Sequence, residues 1–394
     1  MSTSVEESSA ASDPDRLVIR AARADDIDRV LDLLTHYEQP RATFEPWYEH
    51  DPAYQPEQSW LAEVNGQLVA HLRIYPRRLR LGGGGSMRVA GIGNVITARE
   101  ARRQGHADRL LRAAVNAATG AGYAYSLLWT HLPQLYSRHG YGEAPGEILY
   151  AVTGVPSAGA CVRPADDADL PLIAGLQNQF DANRSGPAVR DIGFWRSSRH
   201  WLGDDVLVSD RSGAVAGYVR RRVERDHVSV LELGVATDDL HLGRVLLAAA
   251  AEPRQGRLRA ALPPSLRRVL DPWQPAVRDS PGLMGRPLSI PALASALSSN
   301  WSSHLRVAQD TQDVIVPIAL PGALAGLRVS TEGVVQAMPV PAAAAPLDPG
   351  ELTALVLRGC DARTVLLLGD RADLDDLSAI APAQDFVLWP TDAF

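Results

Sequence analysis

The chain has no lysine: all 39 of its basic residues are arginine, set against 46 acidic residues in a total of 394. Codon bias in a GC-rich genome is the simplest explanation. From residue 291 onward there are twelve acidic and five basic residues, a difference of −7 that equals the net charge of the whole chain. Because an acidic surface repels nucleic acid and attracts cations, the charge argues against DNA or RNA as a partner and for a small amine as a ligand.

Cysteine and long apolar runs are scarce as well. The two cysteines, Cys161 and Cys360, lie far apart and lack the spacing of metal ligands, which predicts a reducing compartment, the cytoplasm, and no metal site. No apolar run approaches the roughly 18 residues that span a bilayer, so we expect no membrane contact. Residues 1–16 have neither a basic start nor an apolar core, and they predict a disordered tail rather than a signal peptide.

The length of the chain predicts two or three domains. The first opens with LVIRAARADDIDRVLDLL, a strand followed by a helix whose apolar residues recur at helical spacing. An aromatic-rich loop follows, in which four prolines between residues 40 and 56 exclude a long helix. Residues 60–97 then predict a meander of antiparallel strands, with the hairpin signal Asn65-Gly66 between the first two.

A faint internal repeat begins after Cys161. VRPADDADLPLIAGLQNQF has the same order as IRAARADDIDRVLDLL near the start: an arginine, small and acidic residues, and then a helix. We therefore predict a second domain built like the first. A third unit begins near Gly285, and within it Asp348 and Glu351 have the positions of an N-cap and its capping-box partner.

The segment GNVITAREARRQGHADRLLRAAV carries the strongest chemical signal. It predicts a strand ending at Thr97, an arginine-rich turn, and a helix from about Arg103 to Ala118. Small residues at Gly105 and Ala107 let a ligand approach the free N–H groups of the helix start. The helix dipole and the arginines favour an anion such as a pyrophosphate. On the motif alone, a basic helix cap that binds nothing is an equal alternative.

Arg102-x-x-Gly105-x-Ala107 fits the R/Q-x-x-G-x-G/A signature of the GNAT acetyltransferases, set between a strand and a helix as in that superfamily. LYSRHGYGEA, MGRPLSIPALASAL and the final WPTDAF narrow the resemblance to the Eis-like N-acetyltransferases, over nearly all of the chain after residue 16. The resemblance implies an α+β fold, with tandem GNAT-like mixed-sheet domains followed by a sterol-carrier-protein-like α/β domain. The implied boundaries are 17–155 for the catalytic domain, 156–284 for a degenerate second one, and 285–394 for the third.

The resemblance also implies where acetyl-CoA, the co-substrate, would bind. Strand backbone would hold the pantetheine arm, the loop and helix start would wrap the pyrophosphate, and backbone ahead of Tyr136 would lie at the far end of the cofactor. The implied cofactor-binding residues are Val95, Ile96 and Thr97 on the strand, Arg103, Gln104, Gly105, His106, Ala107 and Asp108 in the loop, and His131 and Leu132. The second domain has Gly243 but no arginine three positions before it, and is expected to be structural.

Two residues are expected to carry the chemistry. Tyr136 matches the family's tyrosine that protonates the departing CoA thiolate, and a phenol with a pKa of about 10 is fully protonated at neutral pH. The α-carboxylate of Phe394, the last residue, matches the family's general base toward the amine, with the aromatic ring as its anchor. The alternatives are an ordinary core tyrosine and a packed strand end with a solvated carboxylate.

We therefore expect an acetyl-CoA-dependent N-acetyltransferase that acts on a small cationic amine, aminoglycoside-like, by direct transfer in a ternary complex, and that forms hexamers. One position departs from the aminoglycoside-acetylating relatives: Ala393 replaces their acidic residue, and Asp392 lies one step earlier. Further candidate acids in the aromatic-rich loop are Glu45, Glu49 and Asp51. The alternatives are a biosynthetic or self-resistance N-acyltransferase for a natural product, and a non-catalytic acyl- or sterol-binding protein.

Overall fold

In the computed structural model the described residues are 17–157, 162–201, 205–211, 214–280, 282–308, 312–337, 340 and 345–392. The predicted tail at 1–16, Cys161 and the last two residues, Ala393 and Phe394, lie outside these ranges. Within them, no helix is both long and apolar enough to cross a membrane.

The helices and strands follow in chain order. Those of the first section are β1 (Leu17–Ala21), α1 (Ile27–Leu34), α2 (Glu45–Glu49), β2 (Ser59–Val64), β3 (Gln67–Leu81), β4 (Ser86–Thr97), α3 (His106–Gly120), β5 (Tyr125–Trp129), α4 (Pro133–Ser137), β6 (Gly142–Glu143) and β7 (Ile148–Val152). Those of the middle section are β8 (Val162–Pro164), α5 (Leu170–Phe180), β9 (Ser185–Ala188), α6 (Ile192–Trp201), β10 (Asp205–Arg211), β11 (Ala214–Val223), β12 (Val228–Val235), α7 (Leu240–Ala251), β13 (Leu258–Ala261) and β14 (Ala276–Asp279). Those of the last section are β15 (Leu283–Pro287), α8 (Ile290–Val307), β16 (Val314–Leu320), β17 (Ala323–Val329), β18 (Val334–Ala337), α9 (Pro349–Arg358), α10 (Ala362–Leu368) and α11 (Leu374–Ile380).

The described strands form two mixed sheets and a small third one, in an α+β arrangement. The first sheet has the order β1-β2-β3-β4-β5-β15-β6, with β9 joined to β3. The second has the order β14-β7-β13-β12-β11-β10-β8, and the third is the meander β16-β17-β18. Among these laddered pairs, β4 with β5 and β12 with β13 run parallel and the others run antiparallel. Each mixed sheet thus contains one parallel pair.

The mixed sheets share strands across both predicted domain boundaries. β7 precedes residue 155 but pairs in the second sheet with β13 and β14. β15 spans residues 284 and 285 and lies in the first sheet between β5 and β6. β9, from the middle section, pairs with β3. The first sheet is therefore completed by strands from both later sections of the chain.

Both mixed sheets open with the same ion-pair arrangement, which gives the predicted repeat a physical basis. Arg20 binds Asp26 through its two Nη atoms at 2.6 and 2.8 Å, and Arg163 binds Asp169 at the same two distances. In each case the backbone N–H three residues after the arginine also donates to that aspartate. Each arginine further binds a carboxylate on the neighbouring strand. The shared spacing produces the same local fold twice.

Two local predictions are confirmed. Asn65 and Gly66 join β2 to β3 with φ values of +53° and +78°, as a type I′ hairpin turn requires. Asp348 caps α9 by accepting from the N–H groups of Gly350 and Glu351, and the Glu351 side chain accepts from the Asp348 N–H to close the capping box.

One predicted boundary is wrong. The helix expected from about Arg103 begins at His106, because Arg103 and Gly105 have left-handed φ values of +64° and +77° that a helix cannot contain. The two residues instead shape the turn ahead of α3.

The last section packs directly on the first sheet. Leu79 and Met87, at the β3–β4 end of that sheet, share one apolar core with Leu293 of α8 and Leu355 of α9. The small sheet β16–β18 joins the same core through residues such as Leu327. The likeness of this section to sterol carrier proteins stays a prediction.

Candidate active site

A wedge opens in the first sheet between its two parallel strands. β4 and β5 pair over only three residues, and the ladder ends with Gly91 opposite Leu127. β4 then continues to Thr97 with hydrogen bonds to β3 but without a partner on its other edge in the described chain. Such an edge can hydrogen-bond to an extended ligand as it would to a further strand. Val95, Ile96 and Thr97, the residues predicted to hold the pantetheine arm, lie on it.

A β-bulge at Asn94 shapes this open edge. Asn94 has a φ of +50°, and the β3–β4 register shifts beside it. Burial lowers the pKa of His71 to about 3, so its ring is neutral and its Nδ1 donates to the Asn94 carbonyl at 3.0 Å. The Asn94 amide donates to the hydroxyls of Tyr48 and Tyr75 at 3.1 and 3.0 Å. These bonds hold the bulge, a feature often found beside functional sites.

The N-terminus of α3 is open toward this edge. Its N-cap is Gly105, which has no side chain to cap the helix, and a Cβ built there would meet nothing within 4 Å. None of the N–H groups from 103 to 108 has an acceptor among the described residues. Arg102 and Arg103 are exposed beside them. Unpaired N–H groups, the positive end of the helix dipole and two guanidinium groups could together bind an anion.

The other loop side chains bind neighbouring protein groups, so their contribution to that site is their backbone. Gln104 donates through Nε2 to the carbonyl of Glu100 at 3.3 Å, and His106 Nε2 lies 3.2 Å from Gln104 Oε1. Asp108 lies 2.9 Å from His139 Nε2, which ties α3 to the end of α4.

Tyr136 lies on α4, just beyond the end of β5. It is buried and lies close to Thr130, whose Oγ1 accepts from the backbone N–H of Leu132 at 2.9 Å. Burial raises the pKa of Tyr136 to about 12. The phenol therefore keeps its proton throughout the neutral range, as a general acid must. His131 and Leu132, predicted at the far end of the cofactor, are exposed ahead of this helix.

Tyr37 is a site residue that the sequence analysis missed. Its hydroxyl donates to the carbonyl of Val95 at 2.7 Å, on the open edge of β4. Tyr37 is 40% exposed, and the partial burial of its phenol, together with the nearby phenols of Tyr136 and Tyr75, raises its pKa. Three tyrosine side chains therefore gather where the wedge opens. The aromatic-rich loop was the only signal in the sequence, and it did not say which aromatic residue would reach the strand.

The acids expected to attract a cationic amine are largely neutralised by arginines. Asp51 is buried and binds Arg73 at 2.5 Å. Glu45 binds Arg41 at 2.7 Å. Of the three acids named in the aromatic-rich loop, Glu49 is the exposed one for which the structure shows no ion pair. The described residues include no cluster of three or more histidines, cysteines or acids that could hold a metal ion.

Asp392 is also bound to neighbouring protein groups. Its side chain is 1% exposed, binds Arg190 at 2.6 Å and accepts from the backbone N–H of Ala188 at 2.9 Å. Its carbonyl lies 3.4 Å from Arg77 Nε. The chain is thereby anchored two residues before Phe394, which lies outside the described residues.

Residues 18–144, which contain the wedge, the open helix start and Tyr136, match the family model of the acetyltransferase (GNAT) domain. Residues 18–144 are therefore the GNAT-like domain of the chain. An uncharacterized N-acetyltransferase from Streptomyces avermitilis is 28% identical over 130 residues, which are 32% of this chain and 30% of that relative. The match thus spans less than a third of the relative's own length.

Solved structures share the fold of the chain beyond the GNAT domain. A GCN5-related N-acetyltransferase from Kribbella flavida superposes with a TM-score of 0.70 at 18% identity, over 97% of this chain and 99% of that one. Eis1 from Mycobacterium abscessus superposes with a TM-score of 0.66 at 17% identity, over 96% and 100%. At such identities the likeness establishes the fold. The match to the acetyltransferase (GNAT) domain and the N-acetyltransferase relative support N-acetyltransferase activity for residues 18–144.

Proposed function

We propose that the protein is an Eis-like N-acetyltransferase that transfers the acetyl group of acetyl-CoA directly to a small amine in a ternary complex. The observation that carries this proposal is the convergence, in one GNAT domain, of an unpaired strand edge, an uncapped helix start and the buried, protonated phenol of Tyr136. A non-catalytic acyl- or sterol-binding protein would need none of these features.

Acetyl-CoA would bind through backbone more than through side chains. The β4 edge at Val95, Ile96 and Thr97 would pair with the amides of the pantetheine arm. The N–H groups from 103 to 108, with the guanidinium of Arg103, would bind the pyrophosphate. The acetyl end would then point toward Tyr136, with the backbone at 131 and 132 beside it.

The proposed transfer makes one C–N bond and breaks one C–S bond. The neutral amine attacks the thioester carbonyl carbon, and the tetrahedral intermediate collapses with loss of the CoA thiolate. Tyr136 donates its proton to that sulfur, and the proton released by the amine passes to the general base. Proton exchange with solvent then restores both groups. A phenol is an effective acid here because it stays protonated until the thiolate develops.

For the general base we propose the α-carboxylate of Phe394. The anchoring of Asp392 supports it, because Arg77, which contacts the Asp392 carbonyl, lies 5.5 Å from the ring of Tyr75 in the tyrosine cluster. Two further residues reach at most about 7 Å. A carboxylate with a pKa near 3.5 is a weak base, so desolvation or a bridging water would have to assist it.

The identity of the amine, the assembly and the location are further parts of the proposal. An aminoglycoside-like polyamine is the acceptor that the Eis-like resemblance favours, although Asp51 and Asp392, two acids that it would use, are paired with arginines. A hexamer and a cytoplasmic location follow from the resemblance and from the cysteine content. Light scattering on the purified protein measures the assembly directly.

Release of free thiol from acetyl-CoA, measured over a panel of small amines, tests the proposed activity. We expect turnover with at least one acceptor, with the acetyl group on nitrogen by mass spectrometry. A variant with one glycine added after Phe394 tests the base, since it keeps every side chain but moves the carboxylate by up to about 3.5 Å. It should lose most of its turnover, and an unchanged rate would exclude the carboxylate as base.

A further inference from the structure

A cavity of about 250 Å³ lies beside the tyrosine cluster, between β3, α6 and the end of the described chain. This volume is just below the range of about 300–1,000 Å³ that is usual for small-molecule pockets. Its walls are largely apolar or basic, and the wall residues that matter below are Pro76, Arg77, Arg190, Asp191, Phe194 and Asp392.

One tyrosine connects this cavity to the wedge. Arg73, Tyr75 and Arg77 alternate along β3, so their side chains share one face of the sheet. On β4 the residues opposite Tyr75 and Arg73 are Gly91 and Gly93, which have no side chain to place on that face. The Tyr75 hydroxyl bonds to the bulge in the wedge, while its ring lies 5.5 Å from the Arg77 guanidinium at the cavity. A ligand in the cavity is therefore one side chain away from the acetyl-transfer site.

Arg77 differs from the buried arginines Arg73 and Arg190 in having no carboxylate partner among the described residues. Arg73 binds Asp51, and Arg190 binds Asp392 and a second buried acid. Arg77 instead reaches two backbone carbonyls, at 3.1 and 3.4 Å, and its Nη2 is buried without an acceptor.

A cation held in this way lacks its counter-ion. Burial lowers the pKa of Arg77, which shows that its charge is poorly solvated. The nearby acids compensate only in part: Asp51 and Asp392 favour the charged form of Arg77 but are bound to Arg73 and Arg190. Asp191, also in the cavity wall, accepts from the backbone N–H of Phe194 at 2.9 Å. A buried charge is stable only when it is paired, so an anion entering the cavity would supply the missing partner.

We infer that the cavity binds the carboxylate of the acceptor, so that the amine which is acetylated belongs to an amino-acid-like molecule with an apolar body. Acetylation of the acceptor's amine rests on the proposed function, whereas binding of its carboxylate rests on Arg77. Pro76 and Phe194 supply the apolar contact surface. A polyamine would bring further positive charge toward an unpaired arginine.

Matched acceptors test the inference. Apolar amino acids, for example phenylalanine, are compared with their carboxamides and with the corresponding decarboxylated amines in the thiol-release assay. We expect kcat/KM to favour the free acid by roughly tenfold to a hundredfold, as for a hydrogen bond to a charged group. In Arg77→Gln this preference should fall to within about threefold, mainly through KM. The control is Arg88→Gln, an exposed arginine of β4, which should keep the preference.

Binding measurements separate this inference from the proposed activity. Calorimetry of phenylalanine and phenylalaninamide on the free protein should show the same preference for the acid without any turnover. If the acid binds through Arg77 but no acceptor releases thiol, the proposed function fails and the carboxylate site stands. Equal binding of acid and amide overturns the site. A uniform loss of activity in Arg77→Gln toward acid, amide and amine also overturns it. That result would indicate that Arg77 holds the chain's own C-terminal segment in place.

Discussion

The GNAT domain and the second mixed sheet present the same arrangement of strand and helix with opposite outcomes. In the first, β4 pairs with the parallel β5 over three residues up to Gly91; in the second, β12 pairs with the parallel β13 over three residues up to Val230. A turn and a long helix follow each strand, α3 in one case and α7 in the other. The same strand–turn–helix frame is thus present twice.

The two helix starts differ in what satisfies their N–H groups. α3 starts after Gly105 without a side-chain cap. α7 starts after Asp239, whose carboxylate accepts from the N–H groups of His241 and Leu242, each at 3.0 Å. The aspartate stabilises the helix but also uses the donors that a phosphate would need, and its charge would repel one. A single residue therefore separates an anion site from a closed helix end.

The space beyond each parallel ladder differs as well. Two residues past the ladder, β4 has Gly93 and β12 has Glu232. Glu232 is fully buried and binds Arg190 and Thr391, each at 2.6 Å. Where the first sheet leaves room for a ligand, the second holds the C-terminal segment 385–392. The second sheet, which lacks the motif, thus has a structural role, which is to hold the segment 385–392.

The largest effect that follows from this comparison is expected at Tyr136. Tyr136→Phe should lower kcat by about 10²–10⁴, because the thiolate would leave without its acid, while acetyl-CoA affinity stays within twofold. Steady-state kinetics and calorimetry measure the two quantities. Tyr150→Phe, in a buried tyrosine of β7, is the matched control and should keep wild-type turnover. Full activity in Tyr136→Phe would place the acid elsewhere.

The next effect is expected at the buried ion pairs that hold the C-terminal segment. Arg190→Met removes the cation that binds the buried carboxylates of Glu232 and Asp392, so the free energy of unfolding should fall by about 3–5 kcal/mol. Turnover should fall as well, whereas acetyl-CoA affinity should not. Urea unfolding and calorimetry check both, with exposed Arg259→Met as the control. A simultaneous loss of acetyl-CoA affinity would show that acetyl-CoA binding depends on the second sheet as well as on the first.

Transferring the aspartate cap to the first helix should close its anion site. Gly105→Asp and Gly105→Asn add side chains of the same shape, both tolerant of a left-handed backbone, in a place with free space. The charged variant should bind acetyl-CoA about tenfold more weakly than the neutral one, because its carboxylate faces the pyrophosphate. Equal dissociation constants would remove the helix start from the cofactor site.

The smallest effect concerns pH and the same C-terminal segment. Glu147, which accepts from the N–H of Leu388 at 3.1 Å, is buried, and burial raises its pKa to about 7. Its charged form is disfavoured in the folded state, so stability from this group is lost as pH rises from about 4.5 to about 7. Glu147→Gln removes that dependence. Its free energy of unfolding should therefore rise by about 1–3 kcal/mol relative to that of the wild type between pH 5 and pH 8. Thermal melts of the variant and the wild type at pH 5 and pH 8 test this. A stability difference between the two proteins that is the same at both pH values would contradict it.

Local features were predictable from the sequence because nearby residues determine them. The Asn65-Gly66 turn, the capping box of α9 and the glycine that opens α3 each depend on the conformational preferences of a few residues. The strand edge at 95–97 and the position of Tyr136 near it followed from the resemblance. The start of α3 was misjudged by three residues, because the left-handed conformation of Arg103 is not a preference of arginine.

By itself, the sequence determined the turns, the helix caps, the repeated Arg–Asp arrangement and the glycine-containing turn before α3, all of which arise within one or two neighbouring elements. Only the tertiary structure decided which strands complete the first sheet, and that Tyr37 reaches the open edge of β4. It alone showed that Asp51 and Asp392 are neutralised by arginines while Arg77 lacks a carboxylate partner among the described residues. These facts depend on contacts between residues far apart in the chain, and the pairing of buried charges is settled only when such segments pack together.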